Sequence, residues 1–494
     1  MESDIQRGSC CGFLFFTQFS EFFSRRDTLI MKSEITSANQ ITEGGILRPL
    51  LSFFFPILLG TFFQQLYNTA DAIVVGNYVG TVALAAVGGA TGTLINLFVN
   101  LFVGIASGST VIIAQCYGAR DYEGVRHAVH SSVAIAIAGG LIAMVITLLG
   151  ASPALHAMGT PTDVVPDATL YLRVYAVGMV PSFLYNVGSG ILRAVGDTKR
   201  PLYFLIIACL TNIVLDVLFV VGFGMGVLGV ATATVISQVV SCVLVMLMLL
   251  HSSGVFSVHR SEIGFTPYST RRVLRVGIPA ALQSNMFTIA NIIIQSFVNS
   301  FGTDTVAAWT AYSKVDGLFW MIMGALGISV TTFVGQNFGA QKYRRIRRGV
   351  KVSLLMGVVI SALCSIVVMT FAHTLLGWFT TSQNVLTIGL RICELTIPFY
   401  FTYVCVEVLS GAVRGAGDSF WPMIISASGI CLLRMVWVFG VLPFFPGFDT
   451  IVIVFPVSWT ITSLIFAGYY LQGGWLRRRI SIMGYAPEDK NAAE

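Results

Sequence analysis

Apolar stretches long enough to cross a membrane recur along almost the whole chain, separated by short polar loops. A membrane-spanning helix requires about 20 mostly apolar residues. Windows of that kind fall at roughly 50–75, 90–115, 128–150, 167–191, 201–221, 228–250, 273–299, 308–335, 351–376, 388–412, 422–442 and 450–474. They predict an all-α, polytopic membrane protein with twelve transmembrane helices, because the open edges of a sheet cannot face lipid.

Composition supports the same class. The 494 residues are 55% hydrophobic and only 11% charged, whereas charged residues make up about a quarter of a typical soluble domain. The nine cysteines lie mostly in apolar segments, with no CxxC pair. We interpret them as small buried hydrophobic residues, and not as a disulfide framework or a zinc site.

Basic residues alternate from loop to loop. Lys and Arg cluster before span 1 and after spans 2, 4, 6, 8 and 12, whereas the loops 76–88, 151–166, 222–227 and 443–449 contain neither. Positive charge marks the cytoplasmic side, so both termini are predicted to be cytoplasmic. The net charge of +6 follows from this bias, and no nucleic-acid partner is needed to explain it.

The two halves of the chain resemble each other. QCYGA at 115–119 returns as QNFGA at 336–340, and LRAVGDTKRP at 192–201 returns as VRGAGDSFWP at 413–422. The repeat contains six spans, an even number, so the halves are predicted to be parallel repeats, as in secondary transporters with a substrate site between the halves. The predicted segments are a disordered cytoplasmic extension (1–45), an N-terminal lobe (46–255), a cytoplasmic linker (256–270), a C-terminal lobe (271–475) and a cytoplasmic tail (476–494).

Polar stripes follow single faces of several spans. Such faces belong inside the bundle, because a charge at the bilayer centre costs about 2.5–3.5 kcal/mol on insertion scales. The stripes are Gln64, Tyr67, Asn68 and Asp71 in span 1; Asn212 and Asp216 in span 5; Thr234 and Gln238 in span 6; and Ser284, Thr288, Asn291 and Gln295 in span 7.

The two carboxylates, Asp71 and Asp216, have no basic residue within their own spans. If they converge in a low dielectric, one would become a proton acceptor. With Asn and Thr oxygens added, they would instead form an oxygen cage for a small cation such as Na⁺. Both alternatives remain open at this level.

Other chemistries lack their motifs. The chain contains no P-loop, HExxH or GxSxG sequence, so we predict that it is not an enzyme. GAGD at 415–418 and AVGD at 194–197 are interpreted as turns, in which Gly196 and Gly417 take positive φ. A channel is disfavoured, because a duplicated bundle with a buried acid site is typical of alternating access.

From about residue 45 to 475 the chain resembles the multidrug and toxic compound extrusion (MATE) transporters. The resemblance rests on the span-1 proline followed by NTADAIVVG, on QCYGA and QNFGA, on the paired RAVGD and RGAGD turns, and on TNIVLD. The span-5 motif is similar to that of the prokaryotic DinF-like branch. This resemblance implies a Na⁺ or H⁺ site at Asp71, Asn212, Asp216 and Thr234.

The resemblance also implies a drug cavity lined by Gln64, Tyr67, Asn68 and Asn186, and we add Gln238, Gln283, Asn291 and Glu407 to the predicted cavity. Pro56 is the predicted hinge of span 1. No glutamate stands in span 7, unlike in the NorM-like branch.

The implied function is secondary active multidrug efflux from the cell (inner) membrane. Amphipathic organic cations would leave in exchange for Na⁺ or H⁺ by alternating access, with a monomer in the lipid bilayer and no cofactor. One alternative is a lipid-linked oligosaccharide flippase of the same superfamily, which should present more cationic residues in its central cavity. Another is an importer driven by the same gradient.

Overall fold

Twelve long helices form the protein in a computed structural model that describes residues 41–380 and 382–485. In chain order they are α1 Leu47–Tyr78, α2 Ala90–Gly118, α3 Tyr122–Ala157, α4 Val165–Val195, α5 Lys199–Gly222, α6 Gly226–His251, α7 Pro267–Asn299, α8 Thr303–Gly339, α9 Tyr343–Gly377, α10 Gln383–Gly415, α11 Phe420–Gly440 and α12 Phe448–Leu471. The described ranges also contain short helices at Thr81–Gly88 and Gly474–Met483 and a 3-10 turn at Arg260–Glu262, and no strand. The predicted all-α fold is confirmed.

Eleven of the twelve helices are long and apolar enough to cross a membrane. The exception is α4, which carries Asp167, Arg173 and Arg193. Three helices change geometry along their length: α5 and α11 contain π-helical segments at Val217–Gly222 and Ala427–Leu432, and α10 contains a 3-10 turn at Ile397–Phe399.

Buried apolar side chains form two large clusters, one mainly from the first half of the chain and one mainly from the second. The equivalent helices α1 and α7 depart from this division. Leu50 and Phe54 near the start of α1 belong to the second cluster, and Val273 and Val276 near the start of α7 belong to the first. The first turns of α1 and α7 therefore each pack into the core of the opposite half, and this exchange joins the two halves.

Glycines allow the halves to approach closely where α2 crosses α7 and α8. A Cβ added to Gly104 would overlap the backbone of Ala281 in α7. At the end of α2, a Cβ on Gly118 would overlap the carbonyl oxygen of Gln336 in α8, and a Cβ on Gly339 would overlap that of Gln115. These contacts require residues without side chains.

We call one end of the bundle the basic end, because it carries most of the Lys and Arg clusters, including Arg120, Arg200, Arg272, Lys342 and Arg345. The repeated motifs meet here and join the two halves. Gln115 of QCYGA donates from Nε2 to the carbonyl of Gly415 at 2.9 Å, and Gln336 of QNFGA donates to that of Ala194 at 2.7 Å. Both glycine turns take positive φ, at Gly196 (110°) and Gly417 (90°).

Residues 41–45 are held against α9 of the second half, so this stretch is not the disordered segment that the sequence predicts. The Arg345 guanidinium donates to four backbone carbonyls, those of Ile41, Glu43, Gly44 and Gly45, at 2.6–3.2 Å. The side chain of Ile41 is buried. Residues 1–40 lie outside the described residues.

The linker between the halves is anchored to α3. Glu262 accepts hydrogen bonds from Arg126, and this pairing holds the pKa of Glu262 below its ordinary value. The backbone N–H of His259 donates to Nε2 of His130 at 2.9 Å, while Nδ1 of the same ring lies 2.7 Å from the carbonyl oxygen of Arg126. The linker is therefore a fixed part of the first half.

Candidate functional site

The four residues predicted to bind the coupling ion come together between α1, α5 and α6. Asp71, Asn212, Asp216 and Thr234 are all buried. The Thr234 hydroxyl lies 3.5 Å from Oδ2 of Asp71 and 2.9 Å from the carbonyl oxygen of Val230 one turn earlier. Asn212 and Asp216 are adjacent to the Asp71 carboxyl. The spacing i, i+4 on α5 places both side chains on one face.

Most polar atoms of this group lack a partner. Oδ1 of Asp71, both carboxylate oxygens of Asp216, and both amide atoms of Asn212 are buried without a hydrogen bond in the described structure. Buried polar groups in folded proteins nearly always have a partner. Oxygens crowded together in this way fit a bound cation or a shared proton, because either would remove the repulsion between the carboxylates.

Aromatic residues of α4 that the sequence analysis did not single out border this site. Tyr171 and Tyr175 lie close enough to Asp71 to feel its charge, as does Tyr67 of α1. The rings of Tyr171 and Tyr175 stack with centroids 6.2 Å apart. Helix α5 becomes π-helical directly after Asp216, at Val217, and such segments are frequent at functional sites.

The second half of the chain contains a different polar group, in which the acids have partners. Asp316 of α8 accepts hydrogen bonds from Tyr400 and from Trp320, each at 2.6 Å. Glu407 lies beside Tyr403 and Arg414 of the same helix. Three of the predicted cavity residues, Gln283, Asn291 and Glu407, belong to this region.

Two of these predicted cavity residues, Gln283 and Asn291, form hydrogen bonds within the second half. Gln283 donates to Ser426 at 2.8 Å and accepts from Arg414 at 3.0 Å. Asn291 accepts from Arg434 at 2.9 Å. These contacts place Gln283 and Asn291 in a network that supports the helix packing.

A cavity of about 490 Å³ lies between α1, α7 and α8, in the part of the bundle away from the basic end. Its wall combines aromatic and aliphatic side chains with uncharged polar ones and a single charge. The lining residues are Phe62, Gln65, Leu66, Thr69, Gln295, Trp309, Thr310, Ser313, Lys314, Gly317, Leu318 and Met321.

None of the eight predicted cavity residues lines this cavity. Gln64, Tyr67 and Asn68 lie on the α1 face that carries Asp71, whereas the cavity is lined by residues two positions away, which is about 200° around a helix. Asn186 bonds within α4, to Ser182, and Gln238 is adjacent to Tyr175. Helix α1 therefore has the acid site on one face and the cavity on the other.

Comparison with known families identifies the fold. The family model described as MatE matches residues 56–218 and 279–439, one match in each half of the chain. The chain belongs to the multidrug and toxic compound extrusion (MATE) family. Members of this family are transporters and not enzymes, and the chain is accordingly a multi-pass transporter of the cell membrane with the family's role in multidrug efflux.

Relatives cover nearly the whole MATE chain. The probable multidrug resistance protein YoeA of Bacillus subtilis is 28% identical over 449 residues, which is 89% of this chain and 96% of the relative. The probable multidrug resistance protein NorM of Thermotoga maritima is 24% identical, over 88% and 94% of the two chains.

Solved structures share the fold. A MOP superfamily transporter from Pyrococcus furiosus, reported with a binding pocket of reverse polarity, superposes with a TM-score of 0.83 at 23% identity, over 90% of this chain and 98% of that one. An outward-facing multidrug resistance MATE transporter gives the same TM-score and identity, over 89% and 98%.

Proposed function

We propose that this MATE protein is an antiporter that exports amphipathic compounds in exchange for Na⁺ or H⁺, with Asp71, Asn212, Asp216 and Thr234 as the site of the coupling ion. The observation that carries the proposal is the set of buried carboxylate and amide atoms without partners around Asp71. A buried acid pair without a base is unstable unless a cation or a proton joins it.

Exchange follows if the ion and a cationic part of the substrate compete for the same negative potential. An ion that enters from outside neutralises Asp71 and Asp216 and so weakens the attraction for the substrate. Because unit charges interact strongly in a low dielectric, occupancy of the acid site changes the energy of a cation elsewhere in the N-terminal lobe. Binding of the ion then favours release of the substrate, and binding of the substrate favours release of the ion.

Helix α1 is the element through which ion binding reaches the cavity, since its opposite faces carry Asp71 and the cavity wall. Pro56 lies in this helix and cannot bond to the carbonyl of Ser52 one turn earlier. That carbonyl accepts instead a hydrogen bond from Thr198 in the turn after α4, at 3.5 Å. A bend at Pro56 would therefore move α1 relative to the α4–α5 turn.

Alternating access would separate the two lobes, 46–255 and 271–475, as rigid groups joined by the linker 256–270. The distribution of positive charge supports a cytoplasmic basic end, and we expect both termini on that side; of the predicted tail 476–494, only residues up to 485 are described. With the basic end joined by Gln115 and Gln336 and the cavity in the other part of the bundle, the conformation corresponds to the outward-facing state. A monomer contains every part of this mechanism.

The test is dye transport in everted membrane vesicles, with a Na⁺ gradient and a pH gradient imposed separately. We expect one gradient to drive a cationic dye into the vesicle lumen, which corresponds to export, and we expect Asp216→Asn to abolish that transport. Asp163→Asn, at an exposed loop position, is the matched control. Transport by Asp216→Asn equal to the control, or transport in the direction of import, would refute the proposal.

A further inference from the structure

Lys314 is the one charged side chain among the described residues that line the cavity. It lies eleven positions after the start of α8 at Thr303, or about 16 Å along the helix, and is therefore well inside a membrane-spanning segment. Its side chain is exposed to the cavity, and no hydrogen bond or ion pair to another described residue engages its amine. An ionisable residue at such a depth is costly and is generally retained for function.

Nearby acids do not neutralise Lys314. Asp316 is two positions further along α8, so it points about 200° away, where Tyr400 and Trp320 donate to it. Asp71 is on the α1 face turned away from the cavity. The amine therefore offers its hydrogen bonds to whatever occupies the cavity.

A second positive charge lies behind the same wall. Arg434 of α11 is buried, and its direct partners are neutral: Asn291, Ser458 at 3.2 Å, and the ring of Phe455, whose centroid is 4.2 Å from the guanidinium carbon. Asn291 is one turn before Gln295, which lines the cavity, so both lie on one face of α7. The charge of Asp316 lies close enough to Arg434 to offset part of its field, so Lys314 is the positive charge that directly faces the cavity.

We propose that this wall, with Lys314 as the contact residue, binds an acidic group of the exported compound. Lys314 then selects amphipathic substrates that carry a carboxylate or similar monoanion next to an aromatic or aliphatic body, including zwitterions. The rest of the lining fits such a body, since Phe62, Leu66, Trp309 and Met321 supply apolar surface. One lysine is too little charge for a pyrophosphate, which would require several basic side chains.

This proposal rests on the proposed export function but concerns binding, so it is tested without an ion gradient. The ligands are a matched pair of dyes: rhodamine 110, a zwitterion with a free benzoate, and rhodamine 123, its cationic methyl ester. Binding to the purified protein in lipid nanodiscs is followed by fluorescence polarisation. We expect Lys314→Gln to weaken the binding of rhodamine 110 relative to rhodamine 123 by about tenfold, the loss typical of a hydrogen bond to a charged group.

Two further variants define the outcome. Lys314→Arg keeps the charge and should keep the preference, and Lys351→Gln, at an exposed position of α9 near the basic end, should leave both affinities unchanged. An equal change for both dyes in Lys314→Gln, no change for either, or no binding of rhodamine 110 to the unaltered protein would overturn the proposal. If the dyes bind as expected but no gradient drives transport, the export function fails and the assignment of Lys314 stands.

Discussion

At the scale of single residues, the Thr234 hydroxyl is the donor that contacts the acid pair from α6. It is shared between Oδ2 of Asp71 and the carbonyl of Val230, and its oxygen keeps lone pairs that can face a cation. Na⁺ uses such an oxygen as a ligand, whereas a proton bound between two carboxylates does not need it. The effect of substituting Thr234 therefore distinguishes Na⁺ coupling from H⁺ coupling.

We expect Thr234→Val to raise the Na⁺ concentration for half-maximal dye export by about tenfold if Na⁺ is the coupling ion, because one oxygen ligand is lost. Thr234→Ser, which restores the hydroxyl, should return the value close to that of the unaltered protein. The measurement is the initial rate of dye uptake into everted vesicles as the Na⁺ gradient is varied. A rate that depends on pH alone, and equally in all three proteins, would assign the coupling to H⁺.

The grouping of Asp71, Asn212, Asp216 and Thr234 could be predicted from the sequence, whereas the position of the cavity between α1, α7 and α8 could not. A carboxylate in an apolar helix cannot face lipid. Asp71 and Asp216, each with a polar residue four positions away, therefore have few positions open to them other than facing each other. The cavity depends on which face of α1 turns toward the other half, and that helix has polar residues on two faces, with Gln65 and Thr69 on the side away from Asp71. Sequence periodicity identifies which face of a helix is polar, but not which helix packs against that face. Tyr171 and Tyr175 were missed for a related reason, since tyrosines in spanning helices are common at the membrane interface.

At the scale of elements, the segment before α1 is fastened to the other half of the molecule by one side chain. The planar guanidinium of Arg345 reaches four carbonyls, a geometry that a lysine ammonium cannot reproduce. The sequence of residues 41–45 does not indicate this contact, because the acceptors are backbone carbonyls, which every residue has. The prediction of disorder for the whole of 1–45 therefore failed at its last five residues.

Arg345→Ala should release the segment 41–45 and speed its amide hydrogen exchange by at least about tenfold, as expected when local opening becomes easier by 1.4 kcal/mol or more. Arg345→Lys should give nearly the same result. Arg344→Ala, at the neighbouring exposed position, is the control. Unchanged exchange in Arg345→Ala, measured by mass spectrometry on peptides that contain this segment, would show that the guanidinium contacts do not hold it.

At the scale of the whole molecule, the internal repeat explains why so much of the architecture was readable. Each motif occurs twice, so QCYGA and RAVGD, which are weak evidence singly, become stronger evidence of a repeat because similar motifs recur 221 positions later. Their role was not readable, because it depends on contacts between halves. The glutamine of each half binds the glycine turn of the other, and the motifs that identify the repeat are the ones that join its two copies.

This reciprocal pair predicts how the basic end opens. Gln336 donates one hydrogen bond across the interface, whereas Gln115 donates to Gly415 and also accepts from Arg272 of α7 at 3.0 Å. Each such bond is worth about 1 kcal/mol, and all three break when the halves separate. We expect Gln336→Ala to raise the population open at the basic end about fivefold, Gln115→Ala to raise it by more because two bonds are lost, and the double variant to raise it by the product of the two single effects, if the effects add.

Cys116, next to Gln115 and buried in the closed state, reports the opening in everted vesicles through its rate of maleimide labelling, in a background where the other cysteines are replaced by serine. The same background with Thr370→Ala, at an exposed position of α9, supplies the baseline. Labelling that is no faster in the double variant than in this control would mean that closure is maintained by the packing of α2 against α7 and α8 at Gly104, Gly118 and Gly339, with the two glutamines contributing nothing. A double effect well below the product of the two single effects would instead show that one bond is already broken whenever the other is.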